Sequence, residues 1–565
     1  MNFNYRLQPK HHLRARIRIV TLAIGASLAL MLVGCATIPG SGKVEVGLTD
    51  LEQAEQFFQF TATGPVIDAS QEDLVRGFVA AAVSSVDDYA VAREFLTTDY
   101  AAQWDPYFGV LVDEGARNYR SDGSAAGVLS LSATAKIDVA GQMLPVEPGP
   151  ATDLRFEFER VNGQWRLSSA PSGIILDKST FKSIWADNQL YFVGPGNVLV
   201  PQTRWFIARA AMPTEIVSAL LEGPRERMRG SLHSGFPAGT ALVSKSVPVV
   251  DGRARIDMTT ELLEASPQAL AEVRAQLTLS LQSVPGVNGF ELMVEGTPLR
   301  EASGGTEPRT VTEASLPAVL VDGELGTIAA GEFSPIEMYG DRIGELDPLA
   351  VSMSNDGARA AVLNEHGVTL LDAQGNQLAD GRAHQLAPSI DLFRYLWTST
   401  AAGQLQARGS DNVPAPITAP WLAGLDVAAV RLAPDGSRIA ALVASEGGAQ
   451  LLVGGVIRDE RGAPLRATDE ADTEMWITGK PVDFDWVGSS RLSVLSADGL
   501  VTKVTSGGPG RFSEAQGSIS GGTHISGGGA RAHLRLLNDE GELFAPQAAG
   551  WQRNDDNIQL LAKRG

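Results

Sequence analysis

The sequence predicts a multidomain chain: two α+β domains in series, then an all-β part built from repeats. Three observations carry this. Between residues 67 and 300, apolar residues switch between helix spacing and strand alternation. Beyond residue 315, turn-centred hairpins recur at a spacing of roughly 40 to 50 residues. Glycine (60) and proline (30) are frequent in the 565 residues, as many tight turns require. The length calls for two to four domains. With 44% hydrophobic and 20% charged residues, the composition is that of a globular chain.

The first element is a leader, residues 1–34. Arg6, Lys10, Arg14, Arg16 and Arg18 precede any acidic residue. An apolar run of 15 residues, Ile19 to Val33, follows. It is short for a membrane span, which needs about 20 residues, and it ends on Leu32-Val33-Gly34-Cys35. A cationic start, an apolar stretch and a small residue before the cut make a secretory signal peptide. The four-residue ending resembles a bacterial lipobox. That resemblance implies that Cys35 becomes the mature N-terminus, carrying diacylglycerol and an N-acyl chain. The protein would then be lipid-anchored on the extracytoplasmic face of the cell membrane. Cys35 is the only cysteine, so the mature chain can form no internal disulfide.

The net charge is -20, and -25 once the five basic leader residues are removed. This excludes a nucleic-acid partner and lying flat on an anionic leaflet. Residues 35–66 read as a lipid-proximal linker. Gly40-Ser41-Gly42-Lys43 imitates a phosphate loop, but Val44 stands where a magnesium-binding hydroxyl belongs and Thr37 where the first glycine belongs.

Residues 67–180 form the first α+β domain. Ser70 and Asp73 make a capping box, and Leu74, Val75, Phe78, Val79 and Ala82 follow helical spacing. A short helix is expected from Val91 to Leu96. Leu154, Phe156 and Phe158 alternate as a strand, and Asn162-Gly163 turns it back into Trp165 and Leu167. Helices followed by a curved antiparallel sheet resemble the cone-shaped NTF2-like domains. Such domains often carry a pocket, but the fold assigns no ligand.

Residues 200–300 are the second. Thr214 is expected to cap a helix carrying Ile216, Val217, Leu220 and Leu221, which Gly223-Pro224 stops. Strands are expected around Leu242-Val243 and Val247 to Val249. The Asp251-Gly252 turn leads into Ala254, Ile256 and Met258. Ser266 caps a helix with Pro267 at its first position and an apolar stripe of Leu270, Val273, Leu277, Leu281 and Val284. A strand with Phe290, Leu292 and Val294 closes the unit. Ala219-Leu220-Leu221-Glu222-Gly223-Pro224, Phe236-Pro237-Ala238-Gly239-Thr240, Val250 to Asp257, and Val287-Asn288-Gly289-Phe290 with Glu295-Gly296 resemble the GerMN domain of sporulation and germination proteins. These are scaffold residues, and the resemblance carries no catalytic group.

Residues 315–550 repeat. Units centre on Ala350 to Leu363, Trp397 to Gly403, Val430 to Val443, Phe484 to Leu495, and Ile525 to Leu537. Strand, tight turn, strand and a variable hairpin make one blade of a β-propeller. Five blades are expected, or six if Leu316 to Thr327 supplies one; an irregular β-sandwich is the alternative.

No motif for catalysis, metal or cofactor emerges. His11 and His12 fall in the leader, and His233, His366, His384, His524 and His533 are scattered. There is no G-x-S-x-G elbow. Glu55, Glu72, Asp73, Asp87 and Asp88 read as caps or solvated charges rather than an acid/base pair. Nine tryptophans, at 104, 165, 185, 205, 397, 421, 476, 486 and 551, show no cluster along the chain.

The order of lipobox, α+β domain, GerMN domain and propeller-like end resembles the LpqB family of actinobacterial lipoproteins over nearly the whole mature chain. The resemblance implies a non-enzymatic accessory to the MtrA–MtrB two-component system. Its partner would be the extracytoplasmic domain of the sensor kinase MtrB, and its output cell-envelope homeostasis and cell division. The alternative from the residues is a cell-wall glycan- or peptidoglycan-binding lipoprotein.

Overall fold

The computed structural model describes residues 62–300 and 304–565. The leader, Cys35 and Glu55 lie outside these residues. The described residues belong to one compact unit.

The first domain opens with α1 (Gln71–Ala81), α2 (Ala90–Arg93) and α3 (Thr98–Ala101). Ser70 caps α1 as expected: its Oγ accepts from Asp73 N at 3.1 Å and donates to Asp73 Oδ2 at 2.7 Å. The second helix starts at Ala90, after three consecutive left-handed residues, Asp87, Asp88 and Tyr89, and ends at Arg93, short of the expected Leu96, because Phe95 and Thr97 bond to Leu167 of the sheet instead.

Six strands follow: β1 (Val110–Ser121), β2 (Ala126–Ile137), β3 (Met143–Pro145), β4 (Thr152–Val161), β5 (Gln164–Ser169) and β6 (Ile174–Asp177). Their order is β5-β4-β2-β1-β6, with β6 parallel to β1 and β3 on the far end of β2. The bend in β1 comes from register breaks between Val112 and Arg117. Asn162 and Gly163, both with positive φ, form the tight turn the sequence predicts. The apolar face of α1, Leu74, Val75, Phe78 and Val79, packs on Phe156, Phe158 and Leu167.

After α4 (Lys178–Ile184) comes a two-stranded ribbon, β7 (Trp185–Gly194) and β8 (Val198–Ile207). The sequence carries little signal for it. Val198 to Phe206 are all buried, so β8 shows no alternation to read.

The second domain holds α5 (Met212–Glu222), β9 (Val249–Val250), β10 (Arg253–Met258), α6 (Pro267–Leu281), β11 (Gly289–Val294) and β12 (Thr297–Pro298). The sheet order is β12-β11-β10-β9, with β10 and β11 parallel across the α6 crossover. Ser266 caps α6 through Ala269 N, as expected. Thr214 does not cap α5. That helix starts at Met212, and the Thr214 hydroxyl instead accepts from Val247 N at 2.9 Å. Nor is there a strand at Leu242-Val243, where only an isolated bridge to Met258 forms.

The C-terminal part closes into six blades. The inner strands are Ala350–Met353, Ser389–Ile390, Val427–Leu432, Lys480–Val487, Gly522–Ser526 and Leu560–Arg564. Each lies against the next, and the last returns to the first. The sixth blade is composite: Leu560–Arg564 pairs with Ala318–Val321, which pairs with Glu324–Ala329 and then Glu332–Pro335. Five blades are continuous in sequence; the sixth takes strands from both ends of the repeat region.

Candidate functional site: the junction of the three domains

The ribbon β7–β8 joins the other parts. On one side it lies on α6 through a row of polar side chains. Gln276 accepts from Gly235 N at 2.7 Å and donates to Tyr191 O at 2.8 Å. Ser280 Oγ accepts from Tyr191 N, and its carbonyl accepts from Asn188 Nδ2. The neighbouring stripe, Val273, Leu277 and Leu281, faces the apolar core. That core runs on through Phe192 and Val200 into propeller residues Leu442, Leu451, Phe484 and Leu492.

At its other end the ribbon enters the first domain. Trp205 belongs to the core of Phe181 and Phe156, and its N–H donates to Gly141 O at 2.8 Å. One propeller turn, Gly508-Pro509-Gly510, then ties all three domains. The Gly510 carbonyl accepts from Trp205 Nε1 at 2.8 Å, and its N–H donates to Glu474 at 3.0 Å. Gly510 has φ of +72, and a Cβ there would stand 2.6 Å from Arg225 Nη2 and 2.8 Å from the Thr203 carbonyl. No other residue type fits without displacing one of them.

Two seams flank this turn. One is aromatic: Phe512 meets Phe181 and Trp205 edge-on at 5.8 and 5.7 Å. Phe181 also stacks on Trp185 at 5.6 Å. The other is ionic: Arg225, 3% exposed, pairs with Glu474 at 3.0 Å and Asp472 at 3.6 Å. Arg227 adds Glu470 and Asp472 at 2.8 and 2.6 Å. Burial pushes the Glu474 carboxyl up, and the Arg225 charge opposes it. The tryptophans at 185 and 205 thus meet at the open end of the β7–β8 hairpin, a cluster their spacing along the chain does not reveal.

The propeller axis is charged and closed. Asp483 accepts from Lys563 at 2.8 Å and from Ile525 N at 3.0 Å. Burial opposes ionisation of Asp483, but Lys563 and Arg431 hold it below the usual carboxylate range. Asp485 accepts from Gly527 N at 2.8 Å, and burial raises it. At the mouth, the linker from the second domain crosses the opening, with Asn355 donating to Thr312 O at 2.8 Å. Here Glu313 is pushed up to about 7 by burial and by Asp485 and Asp435. Glu313 carries no signal in the sequence, being an isolated acid in a linker.

The residues the sequence singled out do not converge. Glu72 pairs with Arg76 on the surface of α1, and Asp73 serves Ser70. His233 meets Glu272 at 3.2 Å, His524 lies beside Thr523 within the propeller, and His366 and His384 lie on its turns. Among the described residues, no group of three or more His, Cys, Asp or Glu could hold a metal ion. Among them also, no helix is long and apolar enough to cross a membrane.

Fold and junction define a class: a multidomain, mostly β protein in which two α+β domains are fused to a six-bladed propeller. Family models match along the chain. "Lipoprotein LpqB, N-terminal domain" covers residues 64–182, "Sporulation and spore germination" 189–300, and "Lipoprotein LpqB beta-propeller domain" 323–559. The protein named Lipoprotein LpqB of Thermobifida fusca is 25% identical, over 85% of this chain and 87% of its own length. That of Streptomyces coelicolor is 27% identical, over 86% and 87%. The first GerMN domain of the Bacillus subtilis sporulation protein GerM aligns with 22% of this chain and 92% of its own, at 19% identity and a TM-score of 0.19. The chain belongs to the LpqB family of actinobacterial lipoproteins, which makes it a membrane-associated lipoprotein.

Proposed function

We propose that this lipoprotein is a membrane-anchored, non-enzymatic adaptor for the extracytoplasmic domain of an MtrB-like sensor kinase, tuning signals for cell-envelope homeostasis and division. Cys35 carries the diacylglycerol and N-acyl chains, and the folded body stands on the extracytoplasmic face. The observation that supports this best is the fusion of three domains at Gly510. A body with no loose joints presents a broad surface already in its binding shape, which lowers the entropy cost of association. The tether adds to this by confining it to the surface its partner occupies, which raises effective concentration. On the propeller axis Lys563 and Arg431 pair with Asp483, which contributes to closure of the ring.

The test is crosslinking in membranes, followed by a pull-down of the soluble kinase domain with the full mature chain. Recovery of the kinase is expected. Failure of both, with the lipoprotein folded, overturns the adaptor. Cys35→Ala should leave a folded protein that binds the soluble kinase domain but no longer acts in place.

A second reading, a binder of cell-wall glycan, is favoured by one observation: Trp185, Trp205 and their neighbours gather at one junction. Cosedimentation with purified peptidoglycan separates the two, since the adaptor should stay in the supernatant.

A further inference from the structure

Between the first domain and α5 lies a cleft of about 360 Å³. Its walls are rings: Tyr89 and Tyr107 from the first domain, Trp185 and Trp205 from the ribbon. Tyr89 and Tyr107 meet edge-on at 5.6 Å. The charged groups around it are four carboxylates, Asp105, Asp138, Glu215 and Glu222, and two cations, Arg209 in the lining and the buried Arg204 beneath it, whose charge faces Asp138 and Glu222. Arg209 is already neutralised by Glu215 at 2.6 Å. Asp105 and Asp138 accept from backbone N–H groups of their own turns, which leaves their charge in place. Glu222, at the end of α5, is exposed, and although it lies in the field of Arg204 it makes no close ion pair among the described residues. The cleft is therefore an aromatic box in a negative field.

A further feature points to an occupant. Tyr89 is only 3% exposed and lines the cleft, and no described residue hydrogen-bonds its hydroxyl, which is not sealed from solvent. Tyr89 is held in place by the left-handed run Asp87, Asp88, Tyr89, with φ of 49, 56 and 59. Non-glycine residues adopt this conformation at a cost, and such strain gathers where a side chain must be aimed. The rim is apolar: Tyr107, Phe108 and Val139 are 51%, 65% and 77% exposed. The floor does not open, because Trp205 N bonds Gly141 O at 2.8 Å and Arg204 bonds Ala140 O at 2.9 Å.

We propose that this cleft is a docking pocket for a basic side chain, arginine above lysine, presented on an apolar-flanked segment of a partner protein. A guanidinium is planar and stacks on aromatic faces, which a compact ammonium does less well. Tyr89 and Glu222 both line the cleft and offer the guanidinium N–H groups oxygen acceptors. Apolar flanking residues would cover the exposed rim. An anionic ligand would be repelled, and a neutral sugar would leave the field of the carboxylates unused. That the occupant is a protein rests on the adaptor reading; that it is a cation rests on the cleft.

The test uses the full mature chain with Cys35→Ala and a synthetic Leu-Arg-Leu peptide bearing a photo-crosslinkable benzoylphenylalanine. Saturable labelling at Tyr107 to Gly109 or at Val139 is expected, with at least tenfold less for the norleucine analogue. Glu222→Lys should cut labelling at least tenfold; a cation suits a helix C-terminus but also faces Arg204, so the variant's unfolding midpoint is compared with wild type. Tyr89→Phe, which keeps the ring, should weaken it severalfold. Equal labelling by the norleucine analogue, labelling elsewhere, or indifference to Glu222→Lys overturns the pocket. So does displacement of the peptide by an N-acetylglucosamine disaccharide, which would make the cleft a sugar site. If the peptide labels the cleft but the kinase domain does not bind, the adaptor reading falls and the pocket stands. If the kinase domain binds wild type and Glu222→Lys alike, the pocket is not its dock.

Discussion

The two seams that hold the α+β domains to the propeller are built of opposite materials. Phe512, Phe181 and Trp205 form one by ring contact. Arg225, Glu474 and Asp472 form the other by charge, almost wholly out of water. Both meet at Gly510. The aromatic seam gains from burial alone and tolerates partial loss. The ionic seam gains little net stability, because desolvation offsets attraction, but losing one member leaves a buried charge alone. One seam therefore contributes adhesion, and the other enforces a single arrangement.

The sharpest way to break this contrast is Arg225→Ala. It strands Glu474 and should cost about 3–5 kcal/mol in denaturant unfolding. Arg225→Met with Glu474→Leu should recover most of that loss, because no charge is then left unpaired. If the double variant is as unstable as the single, the ionic seam supplies adhesion after all. Phe512→Ala should cost less, about 2 kcal/mol, since Phe512 is only partly buried and the gap opens toward solvent. It should also leave the pH profile of stability unchanged.

The weakest effect tests pH. Glu313 titrates at about 7 in the folded chain, above the ordinary glutamate value of 4.5. The folded state therefore holds this proton more tightly than the unfolded state. The favourable term is complete below the unfolded value and is lost as pH rises toward 7. With partial solvent access allowed for, the loss is about 1–2 kcal/mol between those limits. Unfolding titrations of wild type and Glu313→Gln should diverge across that window, with the Gln variant flatter. Parallel curves would place the pH sensitivity elsewhere, with the ionic seam as the next candidate.

What could be read in the sequence follows a physical line. Local signals were legible: the caps Ser70 and Ser266, the turns Asn162-Gly163 and Asp251-Gly252, and the repeat of the blades. Each needs only neighbouring residues to make sense. Features set by distant partners were not legible. β8 shows no pattern because nearly all of it is buried. Glu272, Gln276 and Ser280 look like the wet side of α6, yet they bind the ribbon and its neighbouring turns. Thr214 has the chemistry of a cap but is spent on Val247. The cleft gathers residues from 89 to 222, and its carboxylates read one by one as surface charge. Only the fold turns them into a shared field.

The composite sixth blade bears on when the molecule becomes itself. Leu320 pairs with Leu560 across about 240 residues, and no nearer strand can take that place. A chain made from its N-terminus can settle its α+β domains early, but the ring waits for its final strand. Until then one edge of the propeller is unpaired, the condition in which β proteins associate wrongly. A chain stopped at residue 559 would lose the clasp that closes all six blades, far more than its few missing residues suggest. Closure of the ring therefore depends on residues 560–564, and a chain lacking them keeps an open propeller edge.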